Sequence, residues 1–210
     1  MSGGRRTIWS VALVCTLSAA GCQGAYFLFP KEPRKKVAAE FDKLPGKNIA
    51  IIVWADQATL DTDFAARYRT AEAVRYFLSR AVKGSKFVDL RDITDFQEQS
   101  GSDWESLSNR ELGQRFKADY VMRIDLLEYT PRARDAREVR KGQVRGGVSL
   151  FDVSQPGPDR SAYATEVMAS WPPTSNYDVL NYSDIDILNA TLRVFGERLA
   201  QKFVEHEENY

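Results

Sequence analysis

The fold is decided by the stretch Lys47-Asn48-Ile49-Ala50-Ile51-Ile52-Val53-Trp54, which follows the turn-forming pair Pro45-Gly46 and is an unbroken apolar run from Ile49 onward. Short continuous apolar runs bounded by turn residues are typical of strands that are buried on both faces, as in parallel sheets covered by helices. The sequence therefore predicts a central β-strand at this point.

The next segment has the pattern of an amphipathic helix. Asp61 and Asp63 are candidate N-cap residues, and the helix is predicted to run to about Val82 because apolar residues recur at three- and four-residue spacing. The predicted apolar stripe consists of Phe64, Tyr68, Ala71, Val74, Leu78 and Ala81. A short strand, Phe87-Val88-Asp89-Leu90, and a short helix within residues 92–99 are expected to follow.

The second half of the chain contributes three more strands and two helices. Ser108 and Glu111 match a capping box that opens a helix, and Ser183 or Asp184 is expected to cap the last helix. Strands are predicted at residues 120–129, 143–153 and 161–171. This order predicts an α/β fold with a mixed, roughly five-stranded sheet covered by helices, parallel early and antiparallel late. We expect these strands and helices to form one domain at residues 44–204, followed by a charged tail at residues 205–210.

The N-terminal residues predict a lipoprotein signal peptide at 1–21. Arg5 and Arg6 precede an apolar run shorter than the roughly 20 residues that a membrane-spanning helix needs, and small residues lead into Cys22. Ala19-Ala20-Gly21-Cys22 resembles the lipobox of bacterial lipoproteins, with Ala19 in place of the usual leucine. The resemblance implies that Cys22 becomes the lipidated first residue of the mature chain.

Residues 22–43 are interpreted as the lipidated N-terminus and a tether. Gln23 is not aspartate, and by analogy with proteobacterial lipoproteins this favours the outer membrane, facing the periplasm. The aromatic residues at 26–29 either lie in the bilayer interface or pack on the domain. Cys15 leaves with the signal peptide, so the mature chain holds one cysteine and no internal disulfide.

A family resemblance is carried by the predicted first strand, Asn48-Ile49-Ala50-Ile51-Ile52-Val53, and by the helix-to-strand junction Leu112-Gly113-Gln114-Arg115-Phe116-Lys117-Ala118-Asp119-Tyr120-Val121-Met122. In these segments the chain resembles bacterial envelope lipoproteins with an anticodon-binding-domain-like scaffold, of the CsgG, LpoB and TolB N-terminal-domain type. At the junction, Gly113 and Ala118 let the helix pass close to the sheet. The resemblance implies adaptor or assembly roles rather than catalysis.

The composition excludes several kinds of chemistry. Twenty-nine basic residues balance 29 acidic ones, so no overall field points to nucleic acid, and the single histidine, His206, lies in the charged tail. Acidic pairs such as Asp61/Asp63 are explained by helix capping, and no catalytic residue, metal site or cofactor is predicted. Asp125 interrupts an apolar strand and is expected to pair with Arg123 or Arg145.

One local excess of positive charge stands out between two predicted strands. Its residues are Arg132, Arg134, Arg137, Arg140, Lys141 and Arg145, and the first five are the candidate partner-binding residues. They form either a docking surface for an acidic partner or a solvated hairpin tip.

The sequence thus predicts a lipid-anchored, non-enzymatic adaptor or assembly factor in envelope assembly, export or cell-wall control. Its expected contacts are the membrane, through the lipid anchor, and an envelope protein, with a homo-oligomer left open. The alternative is a lipoprotein that carries a lipid or glycan in a cleft, and a hydrolase comes third. A carrier would have an apolar cavity and an adaptor an exposed apolar or charged patch.

Overall fold

The computed structural model describes residues 35–133, 140–156, 158–173 and 181–208. The chain divides into two units, Ala38–His206 and a smaller one that includes residues 35–37 and 207–208. The strands are β1 (Lys35–Val37), β2 (Asn48–Trp54), β3 (Lys86–Phe87), β4 (Tyr120–Arg132), β5 (Arg140–Asp152), β6 (Tyr163–Trp171) and β7 (His206–Glu208). The helices are α1 (Gln57–Thr62), α2 (Ala66–Ala81), α3 (Leu90–Gln99), α4 (Asn109–Arg115) and α5 (Asp184–Gln201), with a 3₁₀ turn at Asp103–Ser106.

A five-stranded sheet in the order β3-β2-β4-β5-β6 forms the centre of the larger unit. β2 runs parallel to β3 and β4, whereas β4, β5 and β6 are antiparallel neighbours. The mixed α/β sheet, parallel early and antiparallel late, is confirmed. β1 and β7 pair in a separate two-stranded sheet, so His206–Glu208, within the segment interpreted as a tail, form a strand.

The sheet carries apolar side chains on both faces, and this explains the unbroken apolar run of β2. Ile49, Ile51 and Val53 join the larger core cluster, to which α2 and α5 contribute. Ala50 and Ile52 belong to a second cluster, with residues of α3, α4 and the 3₁₀ turn. Successive strand side chains point to opposite faces, so a strand with helices on both sides needs apolar residues at every position.

The predicted start of the long helix is wrong. The structure has two helices there, with Asp56 capping α1 and Asp63 ending it, and α2 begins at Ala66 without a side-chain cap. Phe64 lies in the break and is 86% exposed, whereas the sequence pattern placed it in the apolar stripe. Asp63 is buried because its carboxylate has partners elsewhere in the fold, which local spacing does not reveal.

Several local predictions are confirmed. The capping box Ser108/Glu111 forms. Ser183, one of the two predicted caps of α5, is the cap, and Asp186 completes a second capping box with it. A Cβ atom at Gly113 would collide with the Val153 side chain, so close packing requires a residue without one.

The second predicted strand is shorter than expected. Only Lys86–Phe87 pair, and Asp89 instead caps α3 with its side chain. β4 and β5 are longer than predicted, because their pairing continues to Arg132 and Arg140.

Asp125, the acidic residue within the otherwise apolar strand β4, has one of its two predicted partners. Arg123 Nε lies 2.9 Å from Asp125 Oδ1, while Arg145 faces Glu166 at 3.6 Å.

Among the described residues, no helix has the length and apolarity that crossing a bilayer requires.

Candidate partner-docking site

An open groove of about 710 Å³ lies along α2, between α5 and the end of β3. We call it the basic groove. Its lining residues are Arg69, Glu72, Ala73, Arg75, Tyr76, Phe77, Ser79, Ser85, Lys86, Phe87, Asn189, Leu192 and Arg193. The volume is within the range of roughly 300–1,000 Å³ that is usual for ligand clefts.

The helical repeat of α2 creates one wall of the groove. Ala71, Val74 and Leu78 are buried in the core. Tyr76 lies on the opposite side of the helix and Arg75 beside the buried face, and both are exposed. The same amphipathic pattern that attaches the helix to the sheet therefore presents these side chains to the groove.

The floor of the groove depends on a close contact between α2 and α5. A Cβ atom at Gly196 would lie 2.7 Å from the Ala73 carbonyl oxygen and 3.0 Å from Phe77 Cδ2. Only glycine permits this approach. Leu192, which is 2% exposed, and the half-buried Phe77 then form an apolar floor below the charged rim.

The rim of the groove carries an excess of positive charge. Four cations line it (Arg69, Arg75, Lys86 and Arg193), against one carboxylate, that of Glu72. Within the described ranges, Arg75, Lys86 and Arg193 have no acidic partner in ion-pair distance. These three charges are the electrostatic feature that distinguishes the groove.

The fourth cation, Arg69, forms an ion pair with a buried aspartate, Asp63. Arg69 Nε lies 3.3 Å from Asp63 Oδ2, an ion pair without the alignment of a hydrogen bond, and Asp63 is 8% exposed. Tyr129 donates its hydroxyl to the same carboxylate at 2.7 Å. Burial, and secondly this hydrogen bond, raise the pKa of the Tyr129 phenol far above its ordinary value, so it stays a donor. Asp63 thereby positions Arg69.

Tyr76 is the aromatic residue at the rim and is 44% exposed. The Arg80 guanidinium lies over its ring at 4.4 Å from the centroid, and Phe77 meets it edge-on at 5.0 Å. The Tyr76 ring is therefore already engaged by two neighbours of its own chain.

The candidate partner-binding residues predicted from the sequence are Arg132, Arg134, Arg137, Arg140 and Lys141, which we call the basic hairpin. Its described residues lie outside the basic groove, at the adjoining ends of β4 and β5. Arg132 Nη2 is 2.9 Å from Asp184 Oδ2, and Arg140 Nε is 3.8 Å from Asp184 Oδ1. Arg140 also donates to the Tyr182 carbonyl oxygen at 2.5 Å. These cations tie the hairpin to the start of α5. Lys141 is half-buried on β5, and Arg134 and Arg137 lie outside the described residues, as does Cys22.

Other candidates from the sequence have local structural roles. His206 Nδ1 lies 3.2 Å from the Val204 carbonyl oxygen, and Asp89 caps a helix. Within the part of the chain that the structure describes, no group of three or more histidine, cysteine or acidic side chains is arranged to hold a metal ion.

Sequence reasoning missed the basic groove because its cations come from three separate elements, at positions 69, 75, 86 and 193. The available signal was the recurrence of arginine at 69, 75 and 80 on the polar side of the predicted helix. That signal is weak, since charged residues are the ordinary content of a solvated helix face.

Comparison with known proteins gives distant structural likenesses. No family model matches the chain, and no curated protein matches it. Among solved structures, it is similar to the PelC dodecamer from Paraburkholderia phytofirmans, with 9% identity and a TM-score of 0.47 over 82% of this chain and 98% of that one. Lipoprotein GNA1162 from Neisseria meningitidis has 15% identity and a TM-score of 0.43 over 63% and 88% of the two chains.

The LpoB C-terminal domain from Salmonella enterica is a further likeness, with 12% identity and a TM-score of 0.37 over 61% of this chain and 87% of that one. The structural neighbours thus include bacterial lipoproteins. At these identities and TM-scores the likenesses carry no argument about function, and the anticodon-binding-domain-like scaffold stays a prediction.

Proposed function

We propose that this chain is a lipid-anchored, non-enzymatic adaptor of the bacterial envelope, held at the periplasmic side of the outer membrane, where it captures a partner protein. The leader supports the anchor, because small residues precede Cys22 and an apolar run precedes them. Two or three acyl chains, at about 0.8 kcal/mol per buried methylene, give stable attachment where one chain does not. Gln23 in place of aspartate favours the outer membrane.

The basic groove is the observation that carries the adaptor role. Arg75, Lys86 and Arg193 surround an open concavity without acidic partners among the described residues. Unpaired charge of one sign on a helical surface speeds encounter with a complementary partner and orients it. Capture of a macromolecule requires such an accessible and preformed surface.

The basic hairpin remains a second candidate docking surface. Lys141 is the residue at which to test it, because reversing the charge of Arg140 would also break its contacts with Asp184 and Tyr182.

The anchor is tested by replacing Cys22 with alanine and fractionating cells after a high-salt wash. We expect Cys22→Ala to move the protein from the membrane to the soluble periplasmic fraction, because the thioether-linked lipid can no longer form. Cys15→Ala is the matched control, since Cys15 lies within the leader and is expected to leave membrane association unchanged. Retention of the Cys22→Ala protein in the washed membranes would contradict the proposal.

A further inference from the structure

The basic groove combines two recognition features that few ligand classes satisfy together. Its rim is cationic, with Arg75, Lys86 and Arg193 lacking acidic partners among the described residues. Its floor is apolar, formed by Phe77 and Leu192. A ligand that fills it must offer anionic groups at the edges and apolar groups in the centre.

We infer that the basic groove binds an acidic peptide segment of a partner protein, with an apolar side chain inserted between the rim cations. The inference deepens the proposed adaptor function and rests on it. Guanidinium groups pair with carboxylates through parallel hydrogen bonds, and an apolar anchor in a pocket supplies the energy that exposed ion pairs lack.

The ion pair of Arg69 distinguishes it from the other three cations of the rim. Its ion pair with Asp63 leaves less of its charge for a ligand, so the unneutralised charge lies with Arg75, Lys86 and Arg193. An acidic segment is therefore expected to pair with Arg75, Lys86 and Arg193 rather than with Arg69.

A sugar polymer fits the groove less well. Protein sites for sugars use open aromatic faces, and Tyr76 is the exposed aromatic residue of the rim. Arg80 already lies over that ring at 4.4 Å, and Phe77 meets it at 5.0 Å. An acidic glycan would therefore gain charge pairing without stacking.

An anionic bilayer surface also fits less well than a peptide. The cations line a concavity between α2, α5 and β3. A planar array of headgroups would reach the rim and leave the apolar floor at Phe77 and Leu192 unfilled. A peptide side chain is small enough to enter.

Binding is tested by fluorescence anisotropy with the full-length chain purified in detergent. The probe is a fluorescein-labelled peptide of glutamate and leucine, and a lysine and leucine peptide is the charge control. We expect the acidic peptide alone to bind, with an affinity that falls as salt is added, because the rim cations are exposed to the solvent. Equal binding of both peptides would overturn the inference.

Two double variants locate the binding site. Arg75→Glu with Arg193→Glu is expected to weaken peptide binding by about tenfold or more. Lys43→Glu with Arg91→Glu makes the same change in net charge at exposed residues outside the groove, and about a twofold effect at most is expected. Thermal unfolding of both variants checks that the fold is intact. A loss caused by Lys141→Glu, without one from the groove variant, would place the docking site on the basic hairpin and overturn the inference.

Competition identifies the class of the occupant. Unlabelled acidic peptide should displace the probe at lower concentrations than polygalacturonate or mixed micelles that contain phosphatidylglycerol. Stronger displacement by the glycan or by the lipid would overturn the inference. Since Cys22 anchoring is measured separately in cells, failure of peptide binding is distinguishable from failure of the anchor.

Discussion

At the scale of single residues, Glu40 makes an exposed ion pair that connects three segments of the larger unit. Its carboxylate accepts hydrogen bonds from Lys202 Nζ at 2.7 Å and from the Tyr163 hydroxyl at 2.5 Å. The bond from Lys202, and secondly that from Tyr163, hold the pKa of Glu40 below its ordinary value. Burial and the bond to Glu40 raise the pKa of Tyr163 to about 12. Glu40 therefore joins the segment before β2 to the end of α5 and to β6.

This pair predicts a loss of stability in acid. A carboxyl group whose pKa is lowered by folding stabilises the folded state above its unfolded pKa of about 4.5, and the contribution disappears as the pH falls through the lower, folded pKa. Glu40→Gln should therefore destabilise the protein at pH 7, and the destabilisation should shrink as the pH falls below about 4.5. Urea unfolding of both proteins across this range measures the difference. A destabilisation that does not change with pH would contradict the assignment.

At the scale of elements, the approach of α2 to α5 depends on Gly196. Replacing a helical glycine with alanine ordinarily stabilises a helix by about 1 kcal/mol. Here the added Cβ would lie 2.7 Å from the Ala73 carbonyl oxygen, so the helices must separate. We expect Gly196→Ala to lower the free energy of unfolding by about 1–3 kcal/mol, the usual range for overpacking.

The control for this prediction is Gly147→Ala in β5, where a Cβ atom would meet nothing within 4 Å. It should leave stability unchanged or slightly raised, because glycine is unfavourable within strands. Chemical denaturation of the two variants compares them. A Gly196→Ala protein as stable as the parent would show that the contact between α2 and α5 is not tight.

At the scale of the whole molecule, the sheet order predicts a gradient of local stability. β2 pairs with β4 along most of its length and with β3 at Asn48 and Ile49, and it is buried at almost every position. β6 lies at the end of the sheet. Amides in doubly paired, buried strands exchange only through large openings, and those at an edge exchange through smaller ones.

Hydrogen exchange followed by mass spectrometry tests this gradient. Peptides that cover Asn48–Trp54 should exchange more slowly than those that cover Tyr163–Trp171. Peptides from the first half of β4, which also has neighbours on both edges, should resemble those of β2 and serve as the control. Equal protection of β2 and β6 would mean that β6 is covered.

Sequence alone determined the features whose causes are local. The capping box Ser108/Glu111 and a cap at Ser183 or Asp184 were predicted because such signals need only a few consecutive residues. β2 was predicted because burial on both faces demands an unbroken apolar run. The mixed sheet followed from the order of the elements. The lipid anchor at Cys22 is likewise a prediction from a short local pattern.

Only the tertiary structure decided where the buried acid and the basic groove lie. Asp63 is of a residue type that commonly caps helices, yet its carboxylate accepts a hydrogen bond from Tyr129, which lies 66 positions away in the sequence. One rim contains Arg75, Lys86 and Arg193. These residues are far apart in the sequence, because four strands of the sheet lie between α2 and α5. Such sites depend on contacts between distant segments. Local propensity and periodicity carry no information about which distant segments those are.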